Sequence, residues 1–343
     1  PVAGAVHENH TEAPRYNWDG FTHWLRLMRD ARFLGLLREL RRNRYDLVVD
    51  VHSQLRTGFI NLVTGAPVRI GFGRPRREVW EPAGRNLPPG TIKRSWKGAR
   101  DQSWIAYTHH IPLPSLDVHA VDRYLSVAGM LGAPPAAADF SFPIPEAADR
   151  QIDRLLAAAG IDPSRAPVLL APAALWETKR WRPEGFAAVA RHFLAAGRPV
   201  VLVGSPAERA ECEAVVANAP GAADLAGQTT LVELTALIRR AAICLTNDSG
   251  PMHIAVALDR PVIAVFGPTN PAWIGPYGRP DAVVRAGLPC SPCNLRKFER
   301  CPHDHACMRQ LAPEPIIARM EALLAAAVAM PAGGTSAAAG PRA

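Results

Sequence analysis

The stretch Leu245-Thr-Asn-Asp-Ser-Gly-Pro-Met-His-Ile-Ala-Val-Ala-Leu258 decides how the rest of the chain is read. Residues 242–247 predict a short buried strand. Asp248, Ser249 and Gly250 are the small polar residues that open helices, and Pro251 suits a first helical turn, where its missing N–H costs nothing. Ile254 to Leu258 then continue as an apolar helix. A strand, a polar turn and a helix N-terminus bring free backbone N–H groups and the positive end of a helix dipole together, which makes an anion site. His253 falls in the first turn, facing whatever binds there. An ordinary capped helix with a surface histidine has the same local pattern, so the rest of the chain must give the turn its meaning.

From residue 148 onward that meaning builds up. Helix 148–159 leads into strand 167–171, helix 183–196 into strand 199–204, and helix 206–217 into a short Asp224-Leu-Ala-Gly227 segment. Helix 230–241 precedes the organising strand, and strand 261–266 follows its helix; residues 313–329 predict a closing helix. Strands alternating with helices predict a parallel, doubly wound sheet, whose ligands sit at the carboxyl ends of the strands. Three polar groupings fall there: Glu177-Thr-Lys-Arg180, Gly204-Ser-Pro-Ala-Glu208 and Asp248-Ser-Gly250. No G-x-G-x-x-G or Walker lysine pattern is present, which argues against a dehydrogenase or a P-loop enzyme. A lysine and a helix N-terminus on one rim suit a diphosphate leaving group, and an acid such as Glu208 suits a ribose.

The first half is less regular. Residues 20–43 carry Phe21, Trp24, Leu25, Met28, Phe33, Leu36, Leu37 and Leu40 at helical spacing with arginines between, which predicts a basic amphipathic surface helix. Tyr45 to Val51, His52 to Thr64 and Ala66 to Gly71 read as strand, helix and strand, one β-α-β unit. Segment 69–100 holds nine basic residues (Arg69, Arg74, Arg76, Arg77, Arg85, Lys93, Arg94, Lys97, Arg100) against Glu78 and Glu81, and its glycines and prolines predict mostly loop. A basic loop beside parallel strands suits a phosphorylated acceptor, and a solvated charged loop would read the same. His109, His110 and His119 show no metal spacing and read as structural or surface residues. Residues 117–132 predict a helix. The domain expectation is therefore 1–135, a Pro/Ala-rich linker at 136–147, a second domain at 148–330 and a disordered tail at 331–343.

Composition fits this plan. The chain has 343 residues, 48% hydrophobic and 20% charged, enough for two soluble domains. No apolar run reaches the roughly 18–20 residues of a membrane span. The net charge of +8 points to acidic partners such as phosphates or an anionic lipid surface. No nucleic-acid-binding motif accompanies it, so nucleic acid is not expected as a partner.

The quoted residues resemble glycosyltransferase family 9, the heptosyltransferases of lipopolysaccharide assembly. The matching pieces are Lys179-Arg-Trp-Arg-Pro183, Val203-Gly-Ser-Pro-Ala-Glu208, Leu225-Ala-Gly-Gln-Thr-Thr-Leu231, Asn247-Asp-Ser-Gly-Pro-Met-His253, Phe266-Gly-Pro-Thr-Asn-Pro271 and Gly275-Pro-Tyr-Gly278. Asp46-Leu-Val-Val-Asp50, Arg69-Ile-Gly-Phe72 and Arg77-Glu78 resemble the family's N-terminal domain. The resemblance implies an α/β GT-B fold, two Rossmann-like domains with a cleft between them. It also implies an inverting transfer of heptose from ADP-heptose to a lipopolysaccharide-core or related glycolipid acceptor, on the cytoplasmic, inner face of the inner membrane. Carried over to this chain, Lys179 would contact the donor diphosphate or sugar, Glu208 the ribose and Asp248 the sugar hydroxyls. Ser249, Gly250 and His253 would contact the diphosphate region. Apart from the resemblance, Arg74, Arg76 and Arg77 lie close together beside the end of a predicted strand, and arginine's planar fork suits a phosphate, so these three are expected to hold the acceptor.

The sequence departs from the family in two places. The strand and Gly-Asp turn that supply the family's proposed catalytic aspartate have no match in residues 1–19, so the N-terminal domain reads as incomplete and the general base is expected upstream of residue 1. The turn after strand 167–171 reads Pro172-Ala-Ala-Leu-Trp176, which offers backbone donors but no hydroxyl. Two other readings stay open beside the transferase: a non-catalytic nucleotide- or sugar-binding remnant, and a GT-B epimerase of UDP-sugars.

Four of the six cysteines fall at Cys290-x2-Cys293-x7-Cys301-x5-Cys307. The spacing permits a structural zinc site, free thiols or two disulfides, and the chemistry itself calls for no cofactor. Cys212 and Cys244 sit in apolar contexts and read as packing residues.

Overall fold

The computed structural model describes residues 29–74, 76–80, 93–97, 102–112, 118–133 and 137–329. The expectations for residues 1–28 and for the tail from 330 lie outside these. The chain divides into two compact units, residues 1–136 and 137–343.

In the first unit, helix α1 (Ala31–Arg42) starts where Asp30 Oδ1 accepts the Arg32 N–H at 2.8 Å, and it carries two arginines in its last turn. Strand β1 (Leu47–Asp50), helix α2 (Leu55–Thr64) and strand β2 (Val68–Phe72) make the β-α-β unit expected from the sequence. Strand β3 (Arg76–Trp80) pairs antiparallel with β4 (Lys93–Lys97), Arg77 opposite Trp96. Within 69–100, expected to be mostly loop, residues 76–80 and 93–97 are thus strands, and 81–92 lie outside the described residues. Arg-Arg-Glu-Val-Trp and Lys-Arg-Ser-Trp-Lys each carry the aromatic or β-branched residues that favour strands, a signal that the charge count concealed. Strand β5 (His109–Ile111) completes a parallel sheet of order β1-β2-β5, and helix α3 (Ala120–Met130) is capped by His119, whose Nδ1 accepts the Val121 N–H.

The second unit is a six-stranded parallel sheet of order β11-β10-β9-β6-β7-β8. Its elements run α4 (Glu146–Ala158), β6 (Val168–Ala171), α5 (Pro183–Ala195), β7 (Val200–Leu202), α6 (Arg209–Val216), β8 (Ala223–Asp224), α7 (Leu231–Arg240), β9 (Ile243–Asn247), α8 (Gly250–Ala257), β10 (Val262–Val265), β11 (Val283–Val284) and α9 (Glu314–Ala329). Helices cover both faces. One core packs Val168, Leu170, Phe186, Phe193, Ile243 and Leu245 with Ile316 and Met320 of α9. The other packs Ile152, Leu156, Leu169, Ile238, Cys244 and Met252. Strands β6, β7, β9 and β10 are buried on both faces, which is why they read as unbroken apolar runs in the sequence. Cys212 and Cys244 are fully buried in these cores. Among the described residues no helix is long and apolar enough to cross a membrane.

The strand order also marks where a ligand belongs. The chain leaves β6 in one direction, to β7 and β8, and returns to add β9, β10 and β11 on the other side. The order reverses between β6 and β9, and doubly wound sheets bind ligands beyond the carboxyl ends of the strands at that point.

Candidate functional site

Two segments meet at that reversal: residues 172–182, after β6, and residues 248–250, after β9. Asn247, at the last position of β9, ties them together. Its Nδ2 donates to the Pro172 carbonyl at 2.6 Å and its Oδ1 accepts the Trp181 N–H at 3.0 Å. Trp181 is itself locked, with its indole N–H on the Leu311 carbonyl at 3.1 Å and its ring against Phe186. The ring lies so close to Gly185 that a Cβ there would come within 2.3 Å of it.

This framework holds Lys179 and Asp248 face to face. Lys179 Nζ lies 2.8 Å from Asp248 Oδ2, and the two side chains are only 13% and 5% exposed. Thr269 Oγ1, on the loop after β10, donates to the same oxygen at 2.7 Å. Asp248 Oδ1 takes part in neither contact. The Lys179 ammonium also sits 4.4 Å from the centroid of the Trp176 ring. Beside the pair, Ser249 is the N-cap of α8 by its extended backbone, but its side chain does not cap the helix. Its hydroxyl donates instead to the Asn247 carbonyl at 3.3 Å. The turn thus opens a helix as expected, yet no serine oxygen covers the first-turn N–H groups, which a bound anion could then reach. A Cβ on Gly250 would meet nothing within 4 Å. His253 lies exposed on the first turn.

Glu208 stands on the neighbouring rim position, after β7. Its Oε2 accepts the Ser205 N–H at 2.8 Å in a capping box, so one carboxylate oxygen is committed to its own helix start. Sequence reading passed over this second role, although Ser205-Pro-Ala-Glu208 carries the Ser-x-x-Glu signature. Lys179, Asp248, Ser249 and Gly250 therefore come together, with Glu208 one strand away on the same edge.

In the first unit, Arg74 is exposed and its guanidinium lies 5.1 Å from the Trp104 ring centroid. Arg76 and Arg77 lie in β3. Sequence reading missed a buried network at the end of β1. Asp50 Oδ1 accepts the His52 and Ser53 N–H groups, and Asp50 Oδ2 accepts the Tyr107 hydroxyl at 2.7 Å. The Ser53 hydroxyl donates to the Asp50 carbonyl and accepts the Phe72 N–H. Burial, reinforced by the Asp50 carboxylate, pushes the Tyr107 phenol up to about 12. The network spans 57 residues of sequence, and no local pattern announces it.

The four clustered cysteines are free thiols. Burial raises the Cys293 thiol and pushes the Cys307 thiol up to about 12, which keeps both protonated at neutral pH. Among the described residues no group of three His, Cys, Asp or Glu side chains is arranged to hold a metal ion. A pocket of about 300 Å³ lies beside the site, lined by Arg180, Arg182, Glu211, Phe298, His305 and Arg309 but not by Lys179 or Asp248. Within its lining Arg180 pairs with Glu211, and Arg309 pairs with Asp304 outside it.

Comparison with known proteins gives the family and the fold. Residues 86–303 match glycosyltransferase family 9 (heptosyltransferase). The lipopolysaccharide core heptosyltransferase OpsX of Haemophilus influenzae is 29% identical over 260 residues, which cover 73% of this chain and 65% of that protein. Lipopolysaccharide heptosyltransferase 1 of Pseudomonas aeruginosa is 26% identical over 313 residues, 87% of this chain and 79% of that one. The chain thus spans about two thirds to four fifths of these relatives' lengths. The solved structure of Escherichia coli ADP-heptose lps heptosyltransferase II superposes with a TM-score of 0.62 at 21% identity, over 86% of this chain and 81% of the other. That likeness is one of fold.

Proposed function

The chain belongs to glycosyltransferase family 9, and from that premise we propose that it moves heptose from ADP-heptose to a lipopolysaccharide-core or related cell-surface glycolipid, with inversion at the anomeric carbon. The observation that carries the proposal is the position of Lys179, Asp248 and the start of α8 together at the sheet's reversal point. The likeness to structures and relatives described as ADP-heptose or lipopolysaccharide heptosyltransferases supports the donor and acceptor classes.

The chemistry follows from the charges. An acceptor hydroxyl oxygen bonds to the anomeric carbon, the bond from that carbon to the β-phosphate oxygen breaks, and the hydroxyl proton passes to a base. The departing diphosphate gains negative charge as the bond breaks. Lys179 and the α8 N–H groups stand ready to stabilise that charge without reorganising. Asp248 keeps the ammonium in place and offers Oδ1 to sugar hydroxyls, Glu208 takes the ribose, and Ser249, Gly250 and His253 line the diphosphate. No described residue is assigned as the base, and the displacement needs no cofactor. Arg74, Arg76 and Arg77 grip the phosphorylated acceptor at the cytoplasmic face of a membrane, where a net charge of +8 favours an anionic surface.

Mass-spectrometric detection of heptose transfer tests the proposal. ADP should appear from ADP-heptose only when a glycolipid core acceptor is present. Release of UDP from a UDP-sugar, with ADP-heptose left intact, would reject the donor.

A further inference from the structure

We infer that Arg296, in the cysteine-bearing segment after β11, is a further donor-binding residue that contacts the diphosphate alongside Lys179. The inference rests on the donor site proposed above.

Arg296 lies 117 residues beyond Lys179, yet its guanidinium carbon sits 4.3 Å from the centroid of the same Trp176 ring that carries the Lys179 ammonium at 4.4 Å. The segment is strapped to the rim on both sides of Arg296. Before it, the Asn294 N–H donates to the Pro268 carbonyl at 2.6 Å, and the Leu295 carbonyl accepts the Thr178 hydroxyl at 2.8 Å. After it, buried His305 places Nε2 2.6 Å from the Thr178 carbonyl. A carbonyl only accepts, so that nitrogen carries the proton, and burial lowers the imidazole pKa, which favours the neutral ring. These contacts fix the backbone of Thr178, the neighbour of Lys179, and of Leu295, the neighbour of Arg296.

The two cations differ in one respect. Lys179 has a carboxylate partner in Asp248. Arg296 is exposed, and among the described residues no carboxylate pairs with it. Two positive groups that sit 4.4 and 4.3 Å from one ring centroid lie no more than about 9 Å apart, near enough to repel each other, and a ring contact offsets only about 0.5–2 kcal/mol of that cost. An anion in reach of both would remove the repulsion. A planar guanidinium holds a phosphate by two parallel bonds, which a lysine cannot do. In this geometry Arg296 binds the phosphate next to the sugar, and Trp176 is the platform that keeps both cations in register.

Titration of the parent, Arg296→Gln and Arg296→Lys with ADP and with AMP tests this, since AMP lacks the second phosphate. Arg296→Gln should weaken ADP about tenfold, the worth of one charge-assisted contact, and leave AMP within about twofold. Arg296→Lys should recover part of the loss. Unchanged ADP affinity in Arg296→Gln, or equal losses for ADP and AMP, would overturn the inference while leaving the donor site standing. A parent that binds neither nucleotide would overturn the donor site and this inference together.

Discussion

Lys179 and Asp248 stand 69 residues apart in sequence and 2.8 Å apart in space, joined as a nearly buried ion pair across the point where the sheet reverses its strand order. Breaking such a pair from one side strands the other charge in a poorly solvated place, which costs about 3–5 kcal/mol, whereas removing both can be nearly neutral. Urea denaturation of Lys179→Met, Asp248→Asn and the double variant should show the signature. Each single change should destabilise by more than about 1 kcal/mol, and the double by clearly less than their sum. Strict additivity would mean that the two residues do not act as a pair.

Asn247 carries the frame. It is fully buried and bonds both ends of the 172–181 segment. Asn247→Ala leaves the Pro172 carbonyl and the Trp181 N–H without their partner, at about 1–3 kcal/mol for each group left unsatisfied. The expected result is a fall in the denaturation midpoint together with weaker ADP binding, because the frame positions Lys179. A variant as stable as the parent would show that the two segments hold their places without it.

Much of the second unit was readable in the sequence. Apolar runs at 167–171, 242–247 and 261–266 correspond to β6, β9 and β10, because strands covered on both faces must be apolar throughout. The proline at the first turn of α8 was readable too. Glu208 reads in the sequence as a ribose ligand, and its bond to the Ser205 N–H went unread although the Ser-x-x-Glu spacing announces it. What stayed hidden is whatever bonds across long separations. Asn247 reads as one more polar residue closing a strand, and nothing near Arg296 points to Trp176. In the first unit, charge counting masked the β3–β4 ribbon, since strand preference there rests on a few valine and tryptophan residues.

The buried phenol of Tyr107 gives the first unit a pH dependence of known sign. Its pKa is raised from 10.0 to about 12 by burial, so the folded state holds the proton more tightly than the unfolded chain. The contribution is fully present below pH 10 and is lost as pH rises through 12. Two pK units correspond to about 2–3 kcal/mol. Tyr107→Phe should lose its hydrogen bond to Asp50 at pH 7 and show a shallower decline between pH 10 and 12. The contributions of the Cys212, Cys244 and Cys307 thiols, raised from 9.0 to about 12, are lost over a window that opens lower and overlaps this one, so the comparison is between the two variants' slopes from pH 10 to 12. Identical slopes would contradict the assignment.

The acceptor proposal has its own test. Replacing Arg74, Arg76 and Arg77 together with Gln keeps polarity and removes three charges. Binding of a phosphorylated glycolipid at low salt should fall at least tenfold, and the parent's own binding should weaken with added salt, since exposed charges are screened within about 8–10 Å near physiological ionic strength. ADP binding should not change. A triple variant that binds the glycolipid as the parent does would leave these arginines as ordinary surface charge.

The donor site at Lys179, Asp248 and the start of α8 is the centre of the account, and isothermal titration with ADP tests it most directly. The parent should bind ADP, and Lys179→Ala should weaken the binding by about 1.5–3 kcal/mol, the worth of one charge-assisted bond to the diphosphate. ADP bound equally well by the parent and by Lys179→Ala would contradict it.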